Sequence, residues 1–186
     1  MTTVFIGGSR TVTHLDAEVR QRLDRIIEGR FPVIIGDANG ADKAAQAYLK
    51  SRGYDNVEVF CMEGICRNNV GSWRSRAIAS PRGAKNFKYY AAKDLEMARE
   101  ASVGFMLWDG KSMGTLANVA RLIGGHKKVV VYNARNKTFA DLKSAIDWNS
   151  FLSSCPPDLQ DRLEQQISGE ESMSQIPSQT GSLFED

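Results

Sequence analysis

Residues 4–27 read VFIGGSRTVTHLDAEVRQRLDRII. Val4 to Ile6 is a short apolar run that Gly7 and Gly8 bring to a stop, and Leu15, Val19, Leu23, Ile26 and Ile27 then recur at helical spacing. Strand, glycine turn and helix follow one another, and the same order returns downstream. Val33 to Ile35 stops at Gly36 and is followed by Ala41 to Leu49, whose small and apolar residues suit a closely packed helix. Val57 to Phe60 predicts a third strand, Tyr89 to Ala101 a helix, Val103 to Trp108 a fourth strand, Thr115 to Ile123 a helix and Val129 to Tyr132 a fifth strand. Such alternation predicts an α/β fold, with right-handed crossovers building a mostly parallel sheet of five strands or more between two layers of helices.

Between the third strand and the helix after it lies an irregular insert, Glu63 to Asn86, longer than an ordinary connection and therefore a candidate functional segment. After Tyr132 the sheet pattern ends, and Phe139 to Leu152 and Asp158 to Ile167 read as two surface helices. From Ser168 the chain is polar, acidic and rich in Ser and Gln, which predicts a disordered tail. The expected organisation is thus an α/β domain over 1–135, a helical extension over 136–167 and a flexible tail over 168–186. No repeat of solenoid type is visible.

The 186 residues fit one core with extras, and 42% hydrophobic with 25% charged residues is an ordinary globular balance. No apolar run approaches the roughly 20 residues that cross a bilayer, and Met1 to Gly8 reads as a first strand instead of a leader, so the expected location is the cytoplasm. Cys61, Cys66 and Cys155 are too few and too irregularly spaced for a disulfide framework or a zinc site, and no metal site is expected from them. The net charge of +2 hides an asymmetry. Glu170, Glu171, Glu185 and Asp186 are the only charged residues after Ile167, and without them 24 bases face 18 acids, a body of +6 that attracts anions.

Three strand ends carry unusual residues: Gly7-Gly8-Ser9-Arg10, Gly36-Asp37-Ala38-Asn39-Gly40-Ala41-Asp42 and Asp109-Gly110-Lys111-Ser112-Met113-Gly114-Thr115. In a parallel sheet this edge is where ligands bind. Glycine lets backbone N–H groups approach phosphate oxygens, and the following helix adds its positive amino-terminal dipole. Ser9, Ser112 and Thr115 offer hydroxyls, and Arg10 a planar fork for phosphate. Asp37 and Asp42 are candidates to orient ribose hydroxyls or to bind a magnesium ion, although each also has a plain structural use at a strand end or a helix start. The pattern lacks a Walker loop and a complete GxGxxG fingerprint, so ATP hydrolysis and dinucleotide-dependent hydride transfer are disfavoured.

From Arg67 to Lys93 the bases Arg67, Arg74, Arg76, Arg82, Lys85, Lys88 and Lys93 have no acid among them, while Trp73, Phe87, Tyr89 and Tyr90 are interleaved. Bases with aromatics suit phosphates and stacked nucleobases. A solvated loop packed by its own aromatics is the alternative. Trp108 reads as core, and His14 and His126 have no visible catalytic partner.

The three strand-end motifs, the third extended by Trp108, together resemble the SLOG superfamily of Rossmann-like proteins, and within it the small YspA-like branch. The similarity spans about Thr3 to Tyr132. That superfamily includes the LOG phosphoribohydrolases, the DNA-processing protein A and sensor domains for nucleotide-derived signals; nucleoside 2-deoxyribosyltransferases have a related site. The resemblance implies ligand contact by Gly8, Ser9, Arg10, Gly36, Asp37, Gly40, Gly114 and Thr115, and beside them Gly7, Asn39, Asp42, Asp109, Lys111, Ser112 and Asn118, on the same turns and the helix that follows, are expected ligand contacts. Where the LOG enzymes have a catalytic glutamate, three residues after the threonine, this chain has Asn118, which cannot exchange a proton near neutral pH. Asp37 or Asp109 would then carry catalysis. Related folds often form dimers through sheet-flanking helices.

Near the end of the chain, Gln179-Thr180-Gly181-Ser182-Leu183-Phe184 resembles the peptide that docks on bacterial sliding clamps, with Gln179, Leu183 and Phe184 as anchors. The expected function is binding of a nucleotide or nucleotide-derived ligand, as sensor or carrier, with no certain cofactor. Two alternatives stand beside it. One is an N-glycosidic hydrolase or transferase acting on nucleoside monophosphates, and the other a DNA-associated protein recruited to the clamp.

Overall fold

The computed structural model of the protein describes residues 2–80 and 87–174, with side chains described for 2–80 and 89–167. A seven-stranded sheet has the order β4-β3-β2-β1-β5-β6-β7, built from β1 (Val4–Gly8), β2 (Val33–Ile35), β3 (Val57–Met62), β4 (Arg74–Ile78), β5 (Val103–Trp108), β6 (Lys128–Asn133) and β7 (Thr138–Leu142). All neighbours are parallel except β6 and β7. This is the α/β architecture that the alternation predicts.

Strand residues alternate between two cores, as a pleated sheet covered on both faces requires. Val4, Ile6, Val33, Ile35 and Leu107 face α1 (Ala17–Glu28) and α2 (Ala41–Ser51), which contribute Val19, Leu23, Ala45 and Leu49. Phe5, Ile34, Met106, Val129 and Val131 face the other way. There they meet α3 (Phe87–Glu100) and α4 (Met113–Gly124) through Met97, Leu116 and Leu122. Behind these lie α5 (Ala145–Ser153) and α6 (Pro157–Ser174), whose Leu159 and Leu163 enter the same core.

Three sequence expectations are corrected. The insert contains a strand: β4 pairs with the edge of β3, and Arg74 and Arg76 both reach Glu58, so charges that read as a basic flap serve an edge strand. Its link to β3 has no helix. Residues 63–73 take the place of a crossover helix, running down α2, where Gln46 accepts from the Val70 N–H and the buried Trp73 indole donates to the Tyr54 carbonyl. The sheet also continues past Tyr132. Thr138–Leu142 forms β7, with Phe139 against the Tyr132 ring, and the helix starts only at Ala145, where Ser144 caps it by accepting from the Asp147 N–H. Finally, α6 runs through Ser174, so 168–174 is helical and not tail. Arg82, Lys85 and the clamp-like peptide 179–184 lie outside the described residues.

Cys61 and Cys66 form a single disulfide, which the sequence reading did not foresee, and Cys155 is free and buried. No helix among the described residues is long and apolar enough to cross a membrane.

Candidate functional site

β1 is the switch point of the sheet. Successive strands β2 to β4 are laid on one side of it, and β5 and β6 on the other, which opens a crevice at the carboxyl ends of β1 and β5. A cavity of about 560 Å³ lies there. Of the expected ligand-contact residues, Gly7, Gly8, Arg10 and Asp42 line it from the β1 and α2 side; Asp109, Ser112, Gly114, Thr115 and Asn118 line it from the β5–α4 side. Ser9, Gly36, Asp37, Asn39, Gly40 and Lys111 lie outside its lining.

The β5–α4 turn is knitted by hydroxyls. Ser9 Oγ accepts the Asp109 N–H at 3.1 Å and lies 3.1 Å from Thr115 Oγ1, which in turn donates to Ser112 Oγ at 3.2 Å. Ser9 therefore holds β1, β5 and α4 together from a fully buried position. Asp109 accepts from Thr11 Oγ1 at 2.6 Å and from the Lys111 and Ser112 N–H groups at 3.0 and 2.7 Å. Burial alone would raise its pKa, but these donors win and hold the carboxyl below its ordinary value. Gly114, in the first turn of α4, has open space where a Cβ would stand. The N-cap residues of α2 and α4, Gly40 and Ser112, make no side-chain cap, so capping side chains do not occupy the first-turn amides of either helix.

The β2–α2 turn is built differently. Arg67 clamps Asp37 with its guanidinium at 2.7 and 3.2 Å and its own N–H at 3.0 Å. Desolvation pushes the Asp37 pKa up, yet the Arg67 hydrogen bonds overcome it and the net shift is downward. Asn39 Oδ1 accepts from Asn68 Nδ2. Gly40 has φ +81°, and a Cβ there would stand 2.2 Å from the Arg10 carbonyl oxygen, so the turn itself requires glycine.

At the cavity floor the sequence reading missed the ionic cluster. Lys93, on α3, is 4% exposed and donates to Asp94 at 2.7 Å. Asp94 also accepts from Asn118 Nδ2, whose carbonyl oxygen accepts from Arg121 at 2.5 Å. Asp42, 6% exposed, accepts the Ala38 N–H and shares the field of Lys93. Burial raises its pKa to about 7, Lys93 only partly opposing that. Burial would lower the Lys93 pKa, but Asp94 and Asp42 reverse it and the ammonium is kept charged. Asp37 and Asp109, the expected catalytic acids, are thus held as carboxylates, while Asp42 is the group poised to carry a proton near neutrality. Asp94 was invisible in the sequence because an acid beside a lysine on a helix reads as a surface ion pair.

The cavity wall is shared by the insert, through Arg67, and α3, through Tyr90. Tyr90 lines the cavity, with the Arg67 guanidinium 4.3 Å and that of Arg10 5.8 Å from its ring centre. Of the basic and aromatic residues read as a phosphate-binding flap, Arg67, Tyr90 and Lys93 reach the cavity, Trp73 is core, and Tyr89 donates to Glu63. Among the described residues Arg10 makes no ion pair. No group of three or more His, Cys, Asp or Glu among them is arranged to hold a metal.

No family model matches this sequence, and no curated protein matches it. Among solved structures the chain is similar to DNA processing protein A from Helicobacter pylori, whose structure was described for its single-stranded DNA binding mode. The TM-score is 0.56 at 12% identity, covering 90% of this chain and 81% of that one. At that identity the likeness is one of fold, and it places the chain among Rossmann-like α/β proteins.

Proposed function

We propose that the protein binds a phosphate-bearing nucleotide or nucleotide derivative in the crevice between the ends of β1 and β5, as a sensor or carrier. The observation that carries this reading is Arg10, a guanidinium with no ion pair among the described residues, lining the same cavity as the open first turn of α4. An unneutralised fork beside uncapped helix amides suits an oxyanion of two or more acceptor oxygens. The cavity volume lies within the range of small-ligand sites. Native mass spectrometry of the purified protein, followed by titration with 5′-AMP, tests this. Arg10→Ala is expected to weaken binding by roughly tenfold to a hundredfold, as loss of a hydrogen bond to a charged group implies. Equal retention by the variant would remove Arg10 from the site.

Turnover is the second reading, favoured by Asp42. A buried carboxyl that keeps its proton near pH 7 is suited to protonate a departing base, whereas Asp37 and Asp109 are held ionised. Release of free base from a nucleoside monophosphate, lost in Asp42→Asn, is the expected sign; no release by the wild-type protein would leave binding alone. A DNA-associated role draws support from the fold likeness to a single-stranded DNA-binding protein. It requires oligonucleotide affinity that falls steeply between low and physiological salt.

A further inference from the structure

Cys61 is the penultimate residue of β3 and fully buried; Cys66, which is half-buried, stands directly before Arg67. The disulfide between them closes a tight turn in which Glu63 and Gly64 have φ of 52° and 79°, and the Ile65 N–H donates to the Met62 carbonyl at 3.0 Å. Immediately beyond the bridge, the chain is fastened to the β2–α2 turn of the cavity. Arg67 holds Asp37 through three hydrogen bonds. Asn68 Nδ2 donates to the Asp37 carbonyl and to Asn39 Oδ1, and Gln46 ties the Asn68 carbonyl, the Val70 N–H and the Gly36 carbonyl together. The bridge is therefore the covalent anchor of the segment that supplies Arg67 to the cavity wall.

We propose that Cys61–Cys66 is a redox-active pair whose reductant is a dithiol, and that its state sets how firmly residues 67–70 are held against the ligand pocket. Reduction removes the covalent tether between the two residues. Cys61 stays fixed within β3 and its core, so the freedom gained falls to the half-buried Cys66 and to Arg67 beside it. The exchange balances as follows. A reductant thiolate attacks Cys66 Sγ, the S–S bond breaks, and Cys61 leaves as a thiolate that takes a proton. The second thiol of the reductant then attacks the mixed disulfide, releasing Cys66 as a thiol and a reductant disulfide, two electrons having passed to the protein. Cys155 takes no part, being buried away from the pair in the opposite core.

The consequence for ligand affinity rests on the nucleotide-binding reading, but the latch itself does not. Full-length protein is oxidised with oxidised glutathione or reduced with dithiothreitol, and thiols are counted after denaturation. One thiol is expected in the first state and three in the second. Hydrogen exchange is then followed at the amides of Arg67 and Val70. Reduction is expected to speed their exchange at least tenfold, reoxidation to restore it, and Cys66→Ser to exchange like the reduced protein under both conditions. Unchanged exchange between the two states, or three thiols under every oxidant, would overturn the latch. In parallel, 5′-AMP affinity is expected to fall at least threefold on reduction. Equal AMP affinity in both states overturns the link to the pocket, and absence of AMP binding in both, with the exchange change present, overturns the nucleotide reading while leaving the latch standing.

Discussion

The turn after β2 and the turn after β5 look alike in sequence, each with glycines, an aspartate and a helix start, yet the protein uses them in opposite ways. The β2–α2 turn is filled by the protein itself: Asp37 is taken by Arg67, Gly40 is needed because the Arg10 backbone lies against it, and Asp42 is buried beside Lys93. The β5–α4 turn ties itself with Ser9, Asp109 and Thr115 and then leaves Gly114 facing open space. A glycine-rich turn thus reports a tight backbone; whether that room is filled by a neighbour or left for a ligand is decided by the fold.

The sharpest way to break this contrast is a pair of alanines. Gly40→Ala forces a side chain into φ +81° and into the Arg10 backbone, and is expected to lower stability by roughly 3 kcal/mol in urea unfolding. A loss below about 0.5 kcal/mol would mean the turn is not needed by the fold. Arg67→Met leaves Asp37, 3% exposed, without its guanidinium. Because Arg67 is itself one-third exposed, the expected cost at pH 7 is about 2 kcal/mol, below that of a fully buried pair. The folded pKa of Asp37 is depressed, so the pair's stabilisation is present above about pH 4 and lost as pH falls through the folded value. The gap between wild type and Arg67→Met should therefore close in strong acid, and a pH-independent gap would assign the loss to packing.

Asp42 has the opposite sign. With its folded pKa raised to about 7, the folded chain keeps a proton that the unfolded chain releases near pH 4, so its contribution makes stability fall as pH rises from about 4 to 7 and then level off. Asp42→Asn should remove that slope, read by thermal melts across this window. Equal slopes in the two proteins would show Asp42 ionised throughout. Smallest in stability is Gly114→Ala, which meets no neighbour and gains helix propensity; a change within about 1 kcal/mol, neutral or stabilising, is expected.

The sheet was legible because Val4–Ile6, Val33–Ile35 and Val103–Trp108 are apolar runs cut by glycine, and burial on both faces leaves that mark. β4 was not, because RSRAI on a sheet edge carries the charges that keep an edge from pairing, and these read as a loop. β7 was missed because Phe139, Leu142 and Ile146 also fit helical spacing, and only the pairing with β6 decides between the two. In the site, glycines and Arg10 were legible as strand-end residues. Asp94 and the clamp of Arg67 on Asp37 were not, since they depend on which parts of α3 and of the loop after β3 the fold brings to the β1–β5 crevice.

The most direct measurement is equilibrium binding of 5′-AMP, by calorimetry, to the oxidised wild-type protein and to Gly114→Val, whose side chain would enter the open space at the first turn of α4. The pocket account predicts saturable binding by the wild type and at least tenfold weaker binding by a variant whose melting temperature is unchanged. Equal affinity in the two proteins would contradict it.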